Sequence, residues 1–489
     1  MKKQTVSVSS LLFNSLRISC VTALLFTLGA CGSGGGGDSG SNSVTGGGDG
    51  SSVASEIKLM AANDGVSGIE LWKTDGTAAG TVLVQDINPA AGSGSDPVGF
   101  TEFNGAFYFQ ADDGVHGKEL WKTDGTAAGT ILVKDINTAA GANSYPYGFI
   151  VLNGALYFRA GAGVNGADLW KTDGTAAGTV LVKEIDATTV ANSYPYDLIG
   201  FTEFNGALYF HADDGVNGRE LWKTDGTAAG TVLVKDINTA SGANSYPDDF
   251  TVFNNALYFR ANDGVNGYEL WKTDGTTDGT VLIKDINTAT GAGSLPLGFT
   301  VFNDALYFEA GESVNGIELW KTDGTAAGTV LVKDINTASG ANSFPRGLTV
   351  FNNALYFKAG DDMNGGELWK TDGTAAGTVL VKDINTAAGA NSYPYGFAQF
   401  NGTLYFRADD GVNGYGLWKT DGTADGTVLV QDVNAETGAS SNLYVLIGAL
   451  YFHADDGVNG MELWKTDGTA AGTQLLKDIC PGLCDGVLY

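Results

Sequence analysis

Apolar residues in this chain come in short runs, each closed by glycine, asparagine or aspartate, and no stretch between the runs carries the 3.6-residue period of a helix. Residues 200–238 display the pattern clearly. Phe201 to Phe204 and Ala207 to Ala212 flank Asn205-Gly206, a hairpin signal because both central positions of such a turn need positive φ. A second turn, Asp213 to Gly218, leads into Glu220-Leu221-Trp222-Lys223, and Asp225-Gly226 reverses that strand into Thr231 to Ile237. The pattern predicts four short antiparallel strands in a meander. Val-Leu-Val and Leu-Tyr-Phe are apolar at consecutive positions instead of alternating, so both faces of this small sheet are expected to be covered by neighbours.

The unit recurs. Leu-Trp-Lys-Thr-Asp-Gly-Thr holds all nine tryptophans, Trp72, Trp121, Trp170, Trp222, Trp271, Trp320, Trp369, Trp418 and Trp464, at a spacing of about fifty residues. One such sheet cannot bury its own apolar faces, so the copies are expected to stack into one domain over residues 56–489. Radial packing of four-stranded blades satisfies the double-sided burial, and closing the ring removes exposed edges. We therefore expect an all-β, nine-bladed β-propeller, with eight blades as the variant count and a linear solenoid as the alternative fold. The first copy, from Ile57, lacks a clear first strand, and Gly486 to Tyr489 could supply it and lock the ring.

Position by position, Glu220-Leu221-Trp222-Lys223-Thr224-Asp225-Gly226-Thr227 with Gly230-Thr231 resembles the E-L-W-x-x-D-G-T-x-x-G-T repeat of bacterial surface proteins, sometimes labelled hyalin-like. The resemblance covers about residues 57–479, with departures at Asp168 and Gly416 where the glutamate should stand. It implies a secreted or surface repeat domain and brings no activity with it. The Thr-Asp-Gly-Thr turns also resemble the Asp-box of sialidase-type propellers, where the aspartate holds turn amides and does no chemistry.

Charge narrows the partners. With 55 acids against 27 lysines and arginines the net charge is -28, which repels nucleic acid and anionic lipid headgroups. Lys2, Lys3 and Arg17 precede an apolar run, Val21 to Ala30, that is shorter than the ~20 residues of a membrane span. Residues 1–30 therefore read as a signal peptide. Leu28-Gly29-Ala30-Cys31 resembles the lipobox of bacterial lipoproteins, which implies acylation of Cys31. With Gly32 following, it also implies delivery to the outer membrane or cell surface, so the membrane is met through the lipid alone. Residues 31–55, nearly all Gly, Ser, Asn and Asp, read as a tether. In that oxidising compartment Cys480 and Cys484 are expected to form a disulfide, two free thiols or a metal site being the other readings.

The candidate chemistry lies in three places. Asp112-Asp113, Asp213-Asp214, Asp409-Asp410 and Asp455-Asp456 sit in loops whose hard oxygens suit either plain turns or weak calcium binding. Directly after the Leu-Tyr-Phe strand the copies differ, with Gln110, Arg159, His211, Arg260, Glu309, Lys358, Arg407 and His453. In a closed ring these form a mostly cationic collar at one height, fit for an anionic glycan, or else each pairs with a neighbouring acid. Tyr145, Tyr147, Tyr194, Tyr196, Tyr246, Phe344, Tyr393 and Tyr395 in the long connections either form a rim for sugars or a protein partner, or pack beside the prolines. No nucleophile, zinc or phosphate-loop motif is present. The sequence reads as a non-catalytic binding scaffold for a glycan or an envelope protein. A propeller enzyme acting on polysaccharide and an outer-membrane assembly scaffold are the alternatives.

Overall fold

A computed structural model describes residues 57–163, 167–185, 199–433, 443–446, 448–482 and 484–487. They belong to one compact unit, Ala54–Tyr489. Residues 1–56, with the expected signal peptide, tether and Cys31, lie outside the described residues, as do Tyr194 and Tyr196.

The described residues form strands and turns with no helix, arranged as eight four-stranded antiparallel sheets and one three-stranded sheet. The fold is a nine-bladed β-propeller. The fourth blade, for example, runs Ile199–Phe204, Ala207–Asp213, Arg219–Thr224 and Val232–Lys235, each strand paired to the next. First strands approach the first strands of adjacent blades and so line the axis. Hairpin turns and Thr-Asp-Gly-Thr turns then lie at one end of the ring, here the turn end. The long links between blades, and the loops between second and third strands, lie at the other, the connection end.

Consecutive apolar residues are explained by the packing. Leu221, Tyr209, Val234 and Ile237 of the fourth blade pack against Leu257, Phe259, Ala261 and Trp271 of the fifth. Leu208, Phe210 and Trp222 of that same fourth blade pack backward against Tyr157 and Leu169 of the third. The hairpins have the expected geometry, with Asn205 at φ 51 and Gly206 at φ 75.

The ring closes through the contacts that join every other pair of blades. Lys223 Nζ donates to Gly275 O of the next blade at 2.8 Å, and Lys465 of the ninth blade donates to Gly76 O of the first at 3.4 Å. A second lysine, present in all blades but the first and eighth, acts the same way: Lys235 reaches Thr280 O at 2.9 Å, and Lys477 reaches Thr81 O at 2.6 Å while lying over Trp72. Tyr451, Leu463, Leu476 and Ile479 pack on Ala62 and Trp72. The missing first strand is supplied only in part: Val487 forms a single bridge to Ala62, and Gly486 O accepts from Asn63 N at 2.8 Å. Leu488 and Tyr489 lie outside the described residues.

The expected disulfide joins Cys480 to Cys484. It stands where other blades use an asparagine to close the same connection, as when Asn238 Nδ2 donates to Asn244 O at 3.2 Å. At the seam of the ring a covalent tie thus replaces a hydrogen bond.

Candidate functional site at the connection end

The repeated motif must be separated from what differs between copies. Glu220 is fully buried, and its carboxylate accepts from Ile237 N at 2.7 Å, Ser245 N at 3.0 Å and Ser245 Oγ at 2.6 Å, which folds the connection onto the blade. At the turn end Asp225 Oδ1 accepts from Thr227 N at 2.8 Å and from Thr227 Oγ1 at 2.7 Å. Thr227 Oγ1 in turn accepts from Gly230 N at 2.9 Å, and Thr224 and Thr231 share a hydroxyl bond of 2.7 Å. These bonds hold the Asp225 carboxyl below its ordinary range, the Thr227 hydroxyl contributing most. The aspartate is structural, as the Asp-box comparison implied.

Gly226 is demanded twice. Its φ is +93, and a Cβ there would sit 2.0 Å from the Tyr157 hydroxyl of the preceding blade. Gly226→Ala is expected to destabilise the protein by about 2–4 kcal/mol, combining left-handed strain with a displaced tyrosine. Chemical denaturation checks this, and an unchanged midpoint would contradict the packing.

The shared glutamate, aspartate, threonines and glycine of the motif are thus committed to the scaffold. Of the positions that differ between copies, the basic ones are at the connection end. Apart from residues 1–55, the two lysine columns and Lys58, the basic residues are Lys118, Arg159, Arg219, Arg260, Arg346, Lys358 and Arg407, all at this end.

Seven of the eight collar residues occupy equivalent places opposite the start of a first strand, as in Tyr147↔Arg159, Ile199↔His211, Asp248↔Arg260, Arg346↔Lys358 and Tyr395↔Arg407. They are not an open cationic ring, however. Arg159, His211 and Arg407 are buried, because their strand is enclosed by its neighbours and, for the two arginines, by a tyrosine of the first strand. The Arg159 guanidinium lies 5.1 Å from the Tyr147 ring centre and that of Arg407 5.6 Å from Tyr395. Burial lowers the pKa of both histidines, His453 to about 4, so neither carries charge near neutrality. His211 Nδ1 donates to Pro247 O at 2.8 Å. Arg260 makes a two-pronged pair with Asp248, the neutralised arrangement that the sequence also allowed.

The aromatic residues reach the surface. Tyr145, Tyr147, Phe344 and Tyr393 are exposed at the connection end. Tyr145, Tyr246, Phe344 and Tyr393 hold φ between 44 and 49, unusual for bulky side chains. Asp96 and Leu295 hold the same bend in other copies, at φ 47 and 53, so it belongs to the shared connection, which over-determines it. Here Ser144 N and Tyr145 N both donate to Lys118 O, at 3.0 and 3.1 Å, which pins the bend.

The aspartate loops serve as turns. Asp213 Oδ1 accepts from Gly215 N at 2.8 Å, Asp214 Oδ1 from Asn217 N at 2.8 Å, and Asp214 Oδ2 from Asn217 Nδ2 at 2.7 Å. Asp409 and Asp410 repeat these bonds, as do Asp455 and Asp456, while Asp112 and Asp113 do so with His116 in place of the asparagine. Among the described residues no three or more His, Cys, Asp or Glu side chains gather as a metal site.

Two features escaped sequence reading. Lys118, Arg219 and Arg346 add to the basic residues of the connection end from third and first strands, outside the one column where the copies were compared. Asp249 takes a position held elsewhere by Gly99, Gly148, Gly200, Gly298, Gly347 and Gly396. It keeps φ 58, and its carboxylate accepts from Gly298 N at 2.6 Å. One aspartate in a glycine column was the signal available.

No protein-family model and no curated protein matches the chain. Among solved structures it is similar to the computationally designed Ika8 protein (TM-score 0.40, 14% identity, covering 76% of this chain and 96% of that one). It is also similar to puromycin hydrolase (0.38, 13%, covering 73% and 58%) and to a protein from a study of two prolyl endopeptidases (0.40, 11%, covering 73% and 54%). The chain thus spans little more than half the length of the latter two.

Proposed function

We propose that this protein is a non-catalytic binding scaffold of the bacterial cell envelope. In this reading it is a member of the E-L-W-x-x-D-G-T repeat proteins, tethered by lipid on Cys31, and it offers the connection end of its ring to an extended glycan. One observation supports the reading: the repeated motif residues build the ring, while positions that differ between copies bring exposed aromatics together with the basic residues outside the two lysine columns at one end. Flat tyrosine faces suit sugar rings, and repeated weak contacts around a ring add through avidity.

The test is a glycan array run with and without calcium, followed by product analysis of any hit. Replacing Tyr145, Tyr147 and Tyr393 together by alanine is expected to weaken binding about tenfold or more, with the thermal midpoint shifted by only a few degrees. Unchanged binding by the triple variant would remove this face from the account. Shortened glycan products would replace the scaffold with the polysaccharide enzyme.

A further inference from the structure

We infer that the seventh blade carries a seat for the carboxylate of an acidic sugar; this rests on the glycan reading above and assigns it a chemical class. In the seventh blade, Arg346 on the first strand stands directly opposite Lys358 on the second. Like charges placed across a sheet repel, and elsewhere the chain avoids this: the same pair of positions holds Val98 and Gln110, Asp248 and Arg260, and Leu297 and Glu309. Among the described residues one carboxylate of the sixth blade acts on both cations, Glu309, whose Oε2 accepts from Arg346 Nε at 3.1 Å and whose charge favours the Lys358 ammonium. Two cations against one anion leave a local positive excess in a protein of net charge -28. Burial, and then Arg346, push the Lys358 ammonium below its ordinary pKa, while Glu309 acts the other way.

The surroundings select the ligand. The Arg346 side chain is 53% exposed, with its guanidinium 5.1 Å from the Phe344 ring centre, and Lys358 Nζ lies 4.9 Å from that of Tyr393. Both rings are exposed. At the start of the third strand the fifth blade carries Tyr268, which covers Arg260, and the eighth carries Tyr415, whereas the seventh has Gly366. A Cβ on Gly366 would come within 3.0 Å of Lys358 Cε, so the lysine crosses bare backbone where its counterparts are roofed. An anion between two cations, flanked by two flat apolar faces, describes a carboxylate borne on a sugar ring. The guanidinium fork suits a planar carboxylate.

Titration calorimetry of the full chain with trigalacturonate tests the assignment, with methyl-esterified trigalacturonate and a sulfated trisaccharide as controls. Trigalacturonate is expected to bind at least about tenfold more tightly than either control, and the R346Q/K358M double variant to lose about tenfold or more. The variant's thermal midpoint should stay within a few degrees, since the change removes a repulsion. Equal binding of trigalacturonate by wild type and variant would overturn the seat while leaving the glycan face in place. Equal binding of the sulfated control would overturn the carboxylate assignment. Failure of all three sugars, with no hit on the array, would take both readings down together.

Discussion

Replacing Glu220 by alanine is expected to lower stability by about 3–5 kcal/mol, a loss usually associated with emptying a core position. The carboxylate has no contact with solvent, and Ile237 N, Ser245 N and the Ser245 hydroxyl all donate to it. Alanine leaves Ile237 N buried without an acceptor and Ser245 N and Oγ with only Arg219 O to share, and each orphan costs about 1–3 kcal/mol. Glu220→Gln keeps the shape but turns an amide nitrogen toward donors at one of the two oxygen positions, so a smaller loss is expected. Urea unfolding of both variants checks the order. A Glu220→Ala protein as stable as wild type would show that the connection is held by something other than this side chain.

Raising the pH from about 5 to 8 is expected to lower the thermal midpoint by about 5 °C or more. Burial pushes Glu119, Glu220, Glu318, Glu367 and Glu462 up to about 7, and raises Glu70 and Glu269 in the same direction. Burial outweighs the hydrogen bonds, which act the other way. Against an unfolded value of 4.5, the folded chain binds more protons between about 4.5 and 7, so stability is full below that window and is lost as pH rises through it. Accumulating negative charge acts in the same direction. Below this range the sign reverses, because turn aspartates such as Asp75 and Asp274 have lowered pKa values and lose their threonine bonds when protonated. Calorimetry across pH 4 to 9 should therefore find a maximum near pH 5. A midpoint that rises between pH 5 and 8 would mean these glutamates are not held as described.

Local patterns carried most of the fold. Asn205-Gly206 announces its own turn, and Leu208-Tyr209-Phe210 announces two covered faces, because both signals act between residues adjacent in sequence. The role of Glu220 was not legible in the same way: its partners Ile237 and Ser245 lie 17 and 25 residues on, so the glutamate could be seen to recur without a reason. The lysine columns hid their purpose similarly, since Lys223 answers to Gly275, 52 residues away in the next blade.

Depth was harder to read than height. Repetition placed Arg159, Arg260 and Arg407 at one level of the ring, but whether an arginine faces water depends on what roofs it. Tyr147 and Tyr395 do so in two blades, and Asp248 neutralises a third. In the seventh blade Gly366 and Arg346 leave the collar cation without a roof, a joint effect that needs the sheet register to be seen. Asp168 illustrates tolerance: one carbon shorter than glutamate, it still accepts from Ile185 N at 3.1 Å.

The central claim is that the repeats close into a ring whose seam is one more blade junction. Val66, Val115 and Val458 are exposed in the loops between second and third strands of the first, second and ninth blades. Spin labels on cysteines at these positions, with Cys20 and Cys31 replaced by serine, would give two distances by pulsed electron resonance. The ring predicts that the Val458 to Val66 separation equals the Val66 to Val115 separation within the breadth of the labels. A Val458 to Val66 distance several times longer, as an open stack would produce, would contradict it.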